Sequence, residues 1–162
     1  MRNKDVLNII KAAENENRDF LFEHEGKQIL SLLGLEVDKS YLVSNENEAI
    51  STANQIGYPV VLKIVSPDIL HKSDFGGVAL NLSDEGEIRE NFRKILSDVS
   101  TKSPRAKIIG LTVSKMAPKS TEIIVGATRD PQFGATIRFG LGGIRVEMMK
   151  DVSFRIAPLN NE

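Results

Sequence analysis

The chain has 162 residues, a formal net charge of −1 and 41% hydrophobic residues, the composition of an ordinary globular protein. A balanced charge gives no bulk field for holding nucleic acid or an anionic membrane surface, so neither is expected as a partner. Cysteine is absent, which excludes disulfides, thiolate catalysis and cysteine-based zinc sites. The sequence shows neither a signal peptide nor an apolar segment long enough to cross a bilayer, and we expect a cytoplasmic protein.

The part of the chain before residue 117 alternates helical and strand patterns. Some segments place apolar residues at helical spacing, and others are short apolar or alternating runs. In chain order, these patterns predict helices over residues 5–17 and 23–33, a strand at 41–43, a helix over 46–56, strands at 60–62 and 78–82, a helix over 83–99 and a strand at 107–115. The continuous apolar run at 60–62 predicts a strand that is buried on both faces. His24 should lie on an exposed face of the second helix.

The pattern changes after the breaker Ala117-Pro118-Lys119-Ser120. Alternating residues predict strands over 122–128 and 135–139, joined by a turn at 129–134, and no helical pattern follows them. A sheet without helices of its own needs a covering element or a partner on one face. We therefore expect a lobe boundary near residue 117.

These observations predict an α+β protein with two lobes. The expected organisation is a helical extension over residues 1–19, an α+β lobe with mixed strands over 20–117, and a partial, mainly antiparallel β lobe over 118–162. The second lobe has few strands and no helix to cover its sheet, so we expect it to be the start of a larger lobe.

Six segments of the chain carry motifs that occur in this order in one known family. They are residues 23–27 (EHEGK), 57–63 (GYPVVLK), 66–78 (SPDILHKSDFGGV), 115–118 (KMAP), 128–134 (TRDPQFG) and 139–147 (FGLGG, then VE). Together they resemble the ATP-grasp (beta) subunit of ADP-forming acetyl-CoA synthetase (acetate–CoA ligase, ADP-forming), and the match runs from about residue 20 to residue 159. Family members continue well past the match, so the resemblance also implies that the far part of the second lobe is missing from these 162 residues.

The resemblance implies an ATP-grasp fold and an acid–thiol ligase. The implied reaction is acyl-CoA + ADP + phosphate ⇌ carboxylic acid + CoA + ATP, run through phosphohistidine. The resemblance also implies Mg²⁺ as a cofactor, ATP or ADP as a substrate, and a hetero-oligomer in which a CoA-binding (alpha) subunit or domain handles the thioester. Composition alone implies none of these features.

Lys63 and His71 are the residues expected to carry the chemistry. Lys63 ends the buried strand, and on the sequence alone it is either an anion-binding lysine or one whose ammonium reaches solvent past apolar neighbours. The resemblance implies that Lys63 binds the α and β phosphates. His71 follows in a loop that contains proline, serine and glycine, where a histidine is often only hydrogen-bonded to backbone. The resemblance implies that His71 is the second phosphohistidine, which relays phosphate from the partner to ADP.

Further phosphate and metal contacts are expected from two glycine-containing segments. Gly76 and Gly77 can offer backbone amides to the β and γ phosphates, although a glycine pair before a strand is also a common turn. Glu147 follows the glycine-rich turn at 140–143 and is the expected Mg²⁺ ligand. Mg²⁺ takes one or two protein carboxylates together with phosphate oxygens, which fits this position.

The nucleoside is expected at the lobe boundary. Ser114, Lys115 and Met116 end a strand there, where adenine can bond to backbone groups and lie against an apolar side chain. A plain strand end is the competing interpretation. Glu122 begins the next strand and is the expected ribose ligand, since a carboxylate accepts hydrogen bonds from two vicinal hydroxyls. An exposed glutamate at a sheet edge is the alternative.

Three functions stay open on the sequence. The first is the phosphohistidine relay described above. The second is another ATP-grasp ligase that makes an acyl phosphate directly and does not need His71. The third is a non-catalytic nucleotide-binding module. The presence of Lys63, His71 and Glu147 together argues against the third.

Overall fold

A computed structural model describes residues 2–118, 120–142 and 152–159 of the chain. The chain divides into two compact units, here called the first unit (Met1–Ala117) and the second unit (Pro118–Glu162). In chain order the elements are α1 (Arg2–Asn15), α2 (Glu23–Leu32), β1 (Ser40–Val43), α3 (Glu46–Ile56), β2 (Val60–Val65), a short 3-10 helix (Lys72–Phe75), β3 (Val78–Leu82), α4 (Glu85–Lys102), β4 (Gly110–Lys115), β5 (Ile123–Asp130), β6 (Gly134–Leu141) and β7 (Val152–Ile156). Within these described residues, no helix is long and apolar enough to span a bilayer. The combination of helices and antiparallel sheets confirms the expected α+β fold class.

Short polar side chains fix the starts of α3 and α4. The Asn45 side chain accepts a hydrogen bond from the amide of Glu48 at 3.0 Å, and the Asp84 side chain accepts one from the amide of Glu87 at 2.8 Å. Asn and Asp are favoured at this position because their oxygen satisfies an amide that has no partner in the first turn. Gly57 ends α3 with a φ of +80°, a conformation that side-chain-bearing residues rarely adopt.

The first sheet has the strand order β1–β4–β2–β3, and all three pairings are antiparallel. The expectation of mixed strands is therefore wrong. β4 lies between β1 and β2, so the connection through α3 joins strands that are not neighbours and creates no parallel pair.

The core of the first unit lies between this sheet and helices α3 and α4. Apolar residues of β2 and α4 meet there, and all of them are buried. These residues are Val60, Leu62, Ile64, Ile88, Phe92, Ile95 and Val99. The opposite face of β2 carries Lys63 between Val61 and Val65, both of which are also buried. β2 is thus buried on both faces, as its continuous apolar run predicted.

The second unit contains a three-stranded antiparallel meander in the order β5–β6–β7. Asp130 begins the turn between β5 and β6, where its side chain accepts hydrogen bonds from the amides of Gln132 and Phe133 at 2.8 and 2.9 Å. Large apolar side chains are exposed on both faces of this sheet. They are Ile123, Val125 and Phe139 on one face and Phe154 and Ile156 on the other, each more than half exposed.

Candidate functional site

Lys63 lies within β2, which continues to Val65, so the expectation that Lys63 ends the strand is wrong. It projects on the face opposite the core and forms an ion pair with α2. Its Nζ lies 2.8 Å from Oε1 of Glu23, and the Lys63 side chain is 28% exposed. The same oxygen lies 3.3 Å from Nζ of Lys27, which is one helical turn further along α2. A single carboxylate oxygen therefore contacts two ammonium groups.

The carboxyl of Glu23 is held in its charged form by these lysines. Burial by itself raises the pKa of Glu23, but the hydrogen bond from Lys63 and the charges of Lys63 and Lys27 outweigh it. The net result is a pKa below the ordinary value of 4.5. Glu23 is thus an anion at neutral pH, and the three side chains together carry one net positive charge.

Ser114 lies on the same face of the sheet as Lys63. In the register of β2 against β4, Lys63 is opposite Thr112 and Val61 is opposite Ser114. Directly opposed residues point to the same face, so Lys63, Thr112 and Ser114 share it. Thr112 and Ser114 are buried, at 4% and 6% exposure. This face is opposite the one that builds the core, and Lys63, Thr112 and Ser114 are its polar residues on β2 and β4.

Thr112 is a residue of this face that the sequence analysis missed. Its hydroxyl lies 3.4 Å from the carbonyl oxygen of Lys63, so it contacts the backbone of the residue expected to bind phosphate. The signal was present in the sequence, because Thr112 and Ser114 alternate with Leu111 and Val113 within an otherwise apolar strand.

Lys115 and Met116 hydrogen-bond to the two residues that precede β2. Nζ of Lys115 donates to the carbonyl of Tyr58 at 2.5 Å, and the amide of Met116 donates to the carbonyl of Pro59 at 2.9 Å. The Met116 amide is therefore already engaged, and a role for Lys115 and Met116 in binding adenine stays a prediction.

His71 is exposed and lies at the start of the short 3-10 helix, in the loop that connects β2 to β3. Ile69, two residues before it, is 1% exposed and anchors the loop to the core. After the helix, the carbonyl of Gly77 accepts a hydrogen bond from the amide of Ile64 at 2.8 Å. The loop is thus fixed near both ends, and its histidine faces solvent.

The glycine pair has a structural role in closing this loop. The amide of Gly76 donates to Ser73 at 3.1 Å, and the amide of Gly77 donates to Lys72 at 2.8 Å. A side chain on Gly77 would collide with the side chain of Ile64 and lie 2.9 Å from the carbonyl oxygen of Lys72. Both amides are used within the loop here. Phosphate binding by them stays a prediction, and it requires the loop to rearrange.

The turn that contains Gly76 also packs against α4. Gly76 has a φ of +72°, and a Cβ there would lie 3.0 Å from a carboxylate oxygen of Asp98. Nζ of Lys102 donates to the carbonyl of Asp74 at 2.9 Å. A cavity of about 350 Å³ is formed mainly by β3 and α4, and Gly76 is the one predicted site residue in its lining. The predicted nucleotide contacts do not otherwise converge on this cavity.

His24 is half-buried, which contradicts the exposed position expected from the helical pattern. Its ring stacks on that of Phe22, with centroids 5.8 Å apart and an interplanar angle of 10°. Its buried Nδ1 has no hydrogen-bond partner among the described residues. Burial lowers the pKa of His24 below its ordinary value, since a charged ring would lose solvation there. Helical spacing could not reveal this contact, because Phe22 precedes α2.

The remaining predicted residues belong to the second unit. Glu122 is exposed just before β5, and its carbonyl accepts a hydrogen bond from the amide of Gly142 at 2.7 Å. Its carboxylate is accessible, as a ribose ligand must be. Glu147 lies outside the described residues. In the three described ranges of the chain, no group of three or more His, Cys, Asp or Glu side chains forms a metal-binding cluster.

The family of the chain follows from a family-wide sequence comparison. The pattern of the ATP-grasp domain matches residues 12–162, which is nearly the whole chain. The chain belongs to the ATP-grasp domain family.

Individual relatives show which members of the family the chain is similar to. The chain is 50% identical, over 154 residues and 95% of its length, to the beta subunit of the ADP-forming acetate–CoA ligase I of Pyrococcus furiosus. A solved structure of dinucleotide-forming acetyl-coenzyme A synthetase 1 from Candidatus Korarchaeum cryptofilum, with coenzyme A and Ca-AMPCP, superimposes with a TM-score of 0.86 at 47% identity. It matches 94% of this chain and 67% of that one. These findings confirm the resemblance to the ATP-grasp subunit of ADP-forming acetyl-CoA synthetases.

A second structure of the Korarchaeum enzyme contains coenzyme A and Mg-AMPPCP, and its phosphohistidine segment points towards the nucleotide binding site. It matches 96% of this chain and 65% of that one, with a TM-score of 0.74 and 42% identity. The relatives are longer than this chain. It spans 66% of the Pyrococcus beta subunit and 20–22% of two larger ADP-forming ligases.

Proposed function

We propose that this chain is the nucleotide-binding subunit or domain of an ADP-forming acyl-CoA synthetase. Its part of the reaction acyl-CoA + ADP + phosphate ⇌ carboxylic acid + CoA + ATP is the transfer of phosphate between His71 and ADP. The observation that carries the proposal is an exposed His71 in the loop that directly follows the strand of Lys63. The similarity to ligases whose complexes contain a nucleotide and a phosphohistidine segment supports it.

In the proposed step, a β-phosphate oxygen of ADP attacks the phosphorus carried on the His71 ring. The new P–O bond forms while the P–N bond breaks, and the electron pair returns to the ring nitrogen. Lys63 binds phosphate oxygens as a point charge, so the catalysis consists mostly of positioning and charge neutralisation.

The other predicted contacts complete the proposal. Ser114, Lys115 and Met116 bind adenine and Glu122 binds the ribose, while Gly76 and Gly77 approach the phosphates after the loop rearranges. Glu147 holds Mg²⁺, which neutralises phosphate charge when it is bound. A CoA-binding (alpha) subunit or domain is the proposed partner, and the similarity of the chain to beta subunits of ADP-forming ligases supports it.

The direct test of this proposal is to look for phosphate bound to His71. The chain is incubated with Mg²⁺ and ATP, and peptides are analysed by mass spectrometry under conditions that preserve acid-labile phosphate. We expect phosphate on the His71 peptide, removable by ADP with formation of ATP. The His24 peptide is an internal control, because His24 is the one other histidine of the sequence. The His71→Asn variant should give no label.

Unlabelled His71 together with intact ATP binding would favour a ligase that makes an acyl phosphate directly. The absence of any nucleotide-dependent reaction, with binding alone, would favour a non-catalytic module. The partner is tested by adding a CoA-binding alpha subunit, acyl-CoA and phosphate without nucleotide, which should also label His71.

The position of the phosphates is tested separately by Lys63→Ala. Loss of a charge-assisted contact to phosphate should weaken ADP binding by about tenfold or more in calorimetric titration. Lys11→Ala is the matched control, since Lys11 is an exposed lysine of α1. Unchanged affinity in Lys63→Ala would show that the phosphates lie elsewhere.

A further inference from the structure

The EHEGK segment at residues 23–27 has no role in the reaction proposed above. The structure brings two of its charged side chains, Glu23 and Lys27, against Lys63. We infer that Glu23 is a positioning residue for the Lys63 ammonium, and that Lys27 preserves the net positive charge that phosphate binding needs. This inference rests on the proposed function and extends it to residues outside the nucleotide contacts.

Lys63 needs a partner to hold its ammonium in one place. A lysine side chain is a flexible four-carbon stem, so a strand fixes the position of its Cα but leaves Nζ mobile. Glu23 lies forty residues earlier in the chain and bonds Nζ at 2.8 Å. It belongs to the first turn of α2, so its own position is fixed by the helix. The pair therefore ties the ammonium of β2 to a second rigid element.

The start of α2 is itself anchored. The carboxylate of Glu25 accepts hydrogen bonds from Arg18 at 2.7 and 2.9 Å and from the backbone amide of Phe22 at 2.7 Å. The Arg18 guanidinium also lies 4.1 Å from the centroid of the Phe22 ring. These contacts hold the turn that carries Glu23, so the support of Lys63 extends to the segment before the helix.

Lys27 compensates for the negative charge that Glu23 brings to Lys63. Glu23 on its own would cancel the positive charge of Lys63 and repel a phosphate. Lys27 is four residues further along α2, a spacing that places it on the same face of the helix, and its Nζ lies 3.3 Å from the shared oxygen. The triad keeps one net positive charge. An ammonium has three donors, so Lys63 still has two for phosphate oxygens after it bonds Glu23.

The inference predicts opposite effects for the two α2 residues. Glu23→Gln replaces the carboxylate with a neutral amide, which holds the ammonium less strongly but removes no positive charge. It should slow phosphate transfer at saturating ATP by about tenfold or more and leave the dissociation constant of ADP unchanged or lower. Lys27→Met removes a positive charge but leaves Lys63 held. It should weaken ADP binding by about three- to tenfold and retain the rate at saturation.

The experiment measures both quantities on the whole chain. Calorimetric titration with Mg-ADP gives the dissociation constant. Single-turnover phosphorylation of His71 across a range of ATP concentrations gives the rate at saturation; in that step the γ-phosphorus bonds to the ring nitrogen and ADP leaves. Glu90→Gln and Lys11→Met are the matched controls, since both residues are exposed and lie outside the triad. Both controls should behave as the wild type.

A slower rate in Glu23→Gln together with weaker ADP binding in Lys27→Met supports the inference. Equal effects on the rate and the dissociation constant, or no effect in either variant, overturn it. If Glu23→Gln does not fold by circular dichroism, Glu23→Asp takes its place. It keeps the charge but is one methylene shorter, so a loss of rate with retained affinity is again expected. If the wild-type chain phosphorylates His71 and both variants have the wild-type rate and affinity, this inference is wrong but the proposed function stands. A wild-type chain that neither binds ADP nor phosphorylates His71 removes the proposed function as well.

Discussion

The two sheets of this protein share antiparallel pairing and differ in their surroundings. In the first sheet, Leu62 and Ile64 of β2 are fully buried beneath α3 and α4. In the second sheet, Ile123 and Phe139 on one face and Phe154 on the other are each more than half exposed. Pairing is antiparallel in both, so we expect the greater burial of the first sheet to make it the more stable of the two.

This difference also separates the proposed roles of the two sheets. Lys63 and Ser114 project from strands that a core fixes on their other face. Glu122 directly precedes a strand of a sheet that has no such core among the described residues. A precise phosphate contact is expected from the first sheet, and an adaptable contact from the second.

Matched isoleucine substitutions test the comparison most strongly. Ile64→Ala should lower the free energy of unfolding by about 2–5 kcal/mol, because it removes a fully buried side chain and leaves a cavity. Ile123→Ala should change it by less than about 0.5 kcal/mol, since that side chain is 59% exposed. Urea unfolding followed by circular dichroism measures both. A large loss in Ile123→Ala would show that the second sheet is covered in solution.

The same contrast explains what the sequence could and could not predict. The buried strand β2 was predictable because a short apolar run rich in β-branched residues is typical of a strand covered on both faces. The strand order was not, because the insertion of β4 between β1 and β2 depends on pairings between residues 45 to 74 positions apart. Local patterns contain no information about that pairing.

The candidate site likewise has features that the sequence could predict and features that it could not. Lys63 in β2 and His71 in the following loop could be selected from the sequence, because the resemblance to the ATP-grasp subunit decided between the alternatives that residue type and spacing left open for each. The contact of Lys63 with Glu23 joins residues forty positions apart, so no local pattern predicted it. The buried position of His24 was missed for a similar reason, since it depends on Phe22 in the preceding segment.

Matched glycine substitutions test whether the packing of the first sheet extends to the His71 loop. Gly77→Ala should cost about 1–3 kcal/mol, because the new methyl group would collide with Ile64 and with a backbone carbonyl. Gly126→Ala in the second sheet should be neutral or stabilising by up to about 1 kcal/mol, since nothing lies within 4 Å of a Cβ there. Thermal unfolding of both variants measures this difference. Equal effects would mean that the loop yields to the methyl group without strain.

The smallest expected effect concerns acid sensitivity in the first unit. The pKa of His24 lies below its ordinary value of 6.5, chiefly because the ring is buried. The unfolded chain therefore takes up a proton on His24 before the folded chain does. Stability falls as the pH drops below about 6.5, until the folded ring is protonated too.

His24→Phe should remove this part of the acid dependence. The phenyl ring can keep the stacking on Phe22 and has no unpartnered nitrogen, so at pH 8 stability should change by less than about 1.5 kcal/mol. The gain over the wild type should grow as the pH falls from 7 towards 5. Glu23 and Glu25 also have lowered pKa values, so their stabilisation is present above 4.5 and is lost only at lower pH. Urea midpoints between pH 8 and pH 5 measure the effect. Parallel curves for the variant and the wild type would show that the His24 ring is solvated in the folded chain.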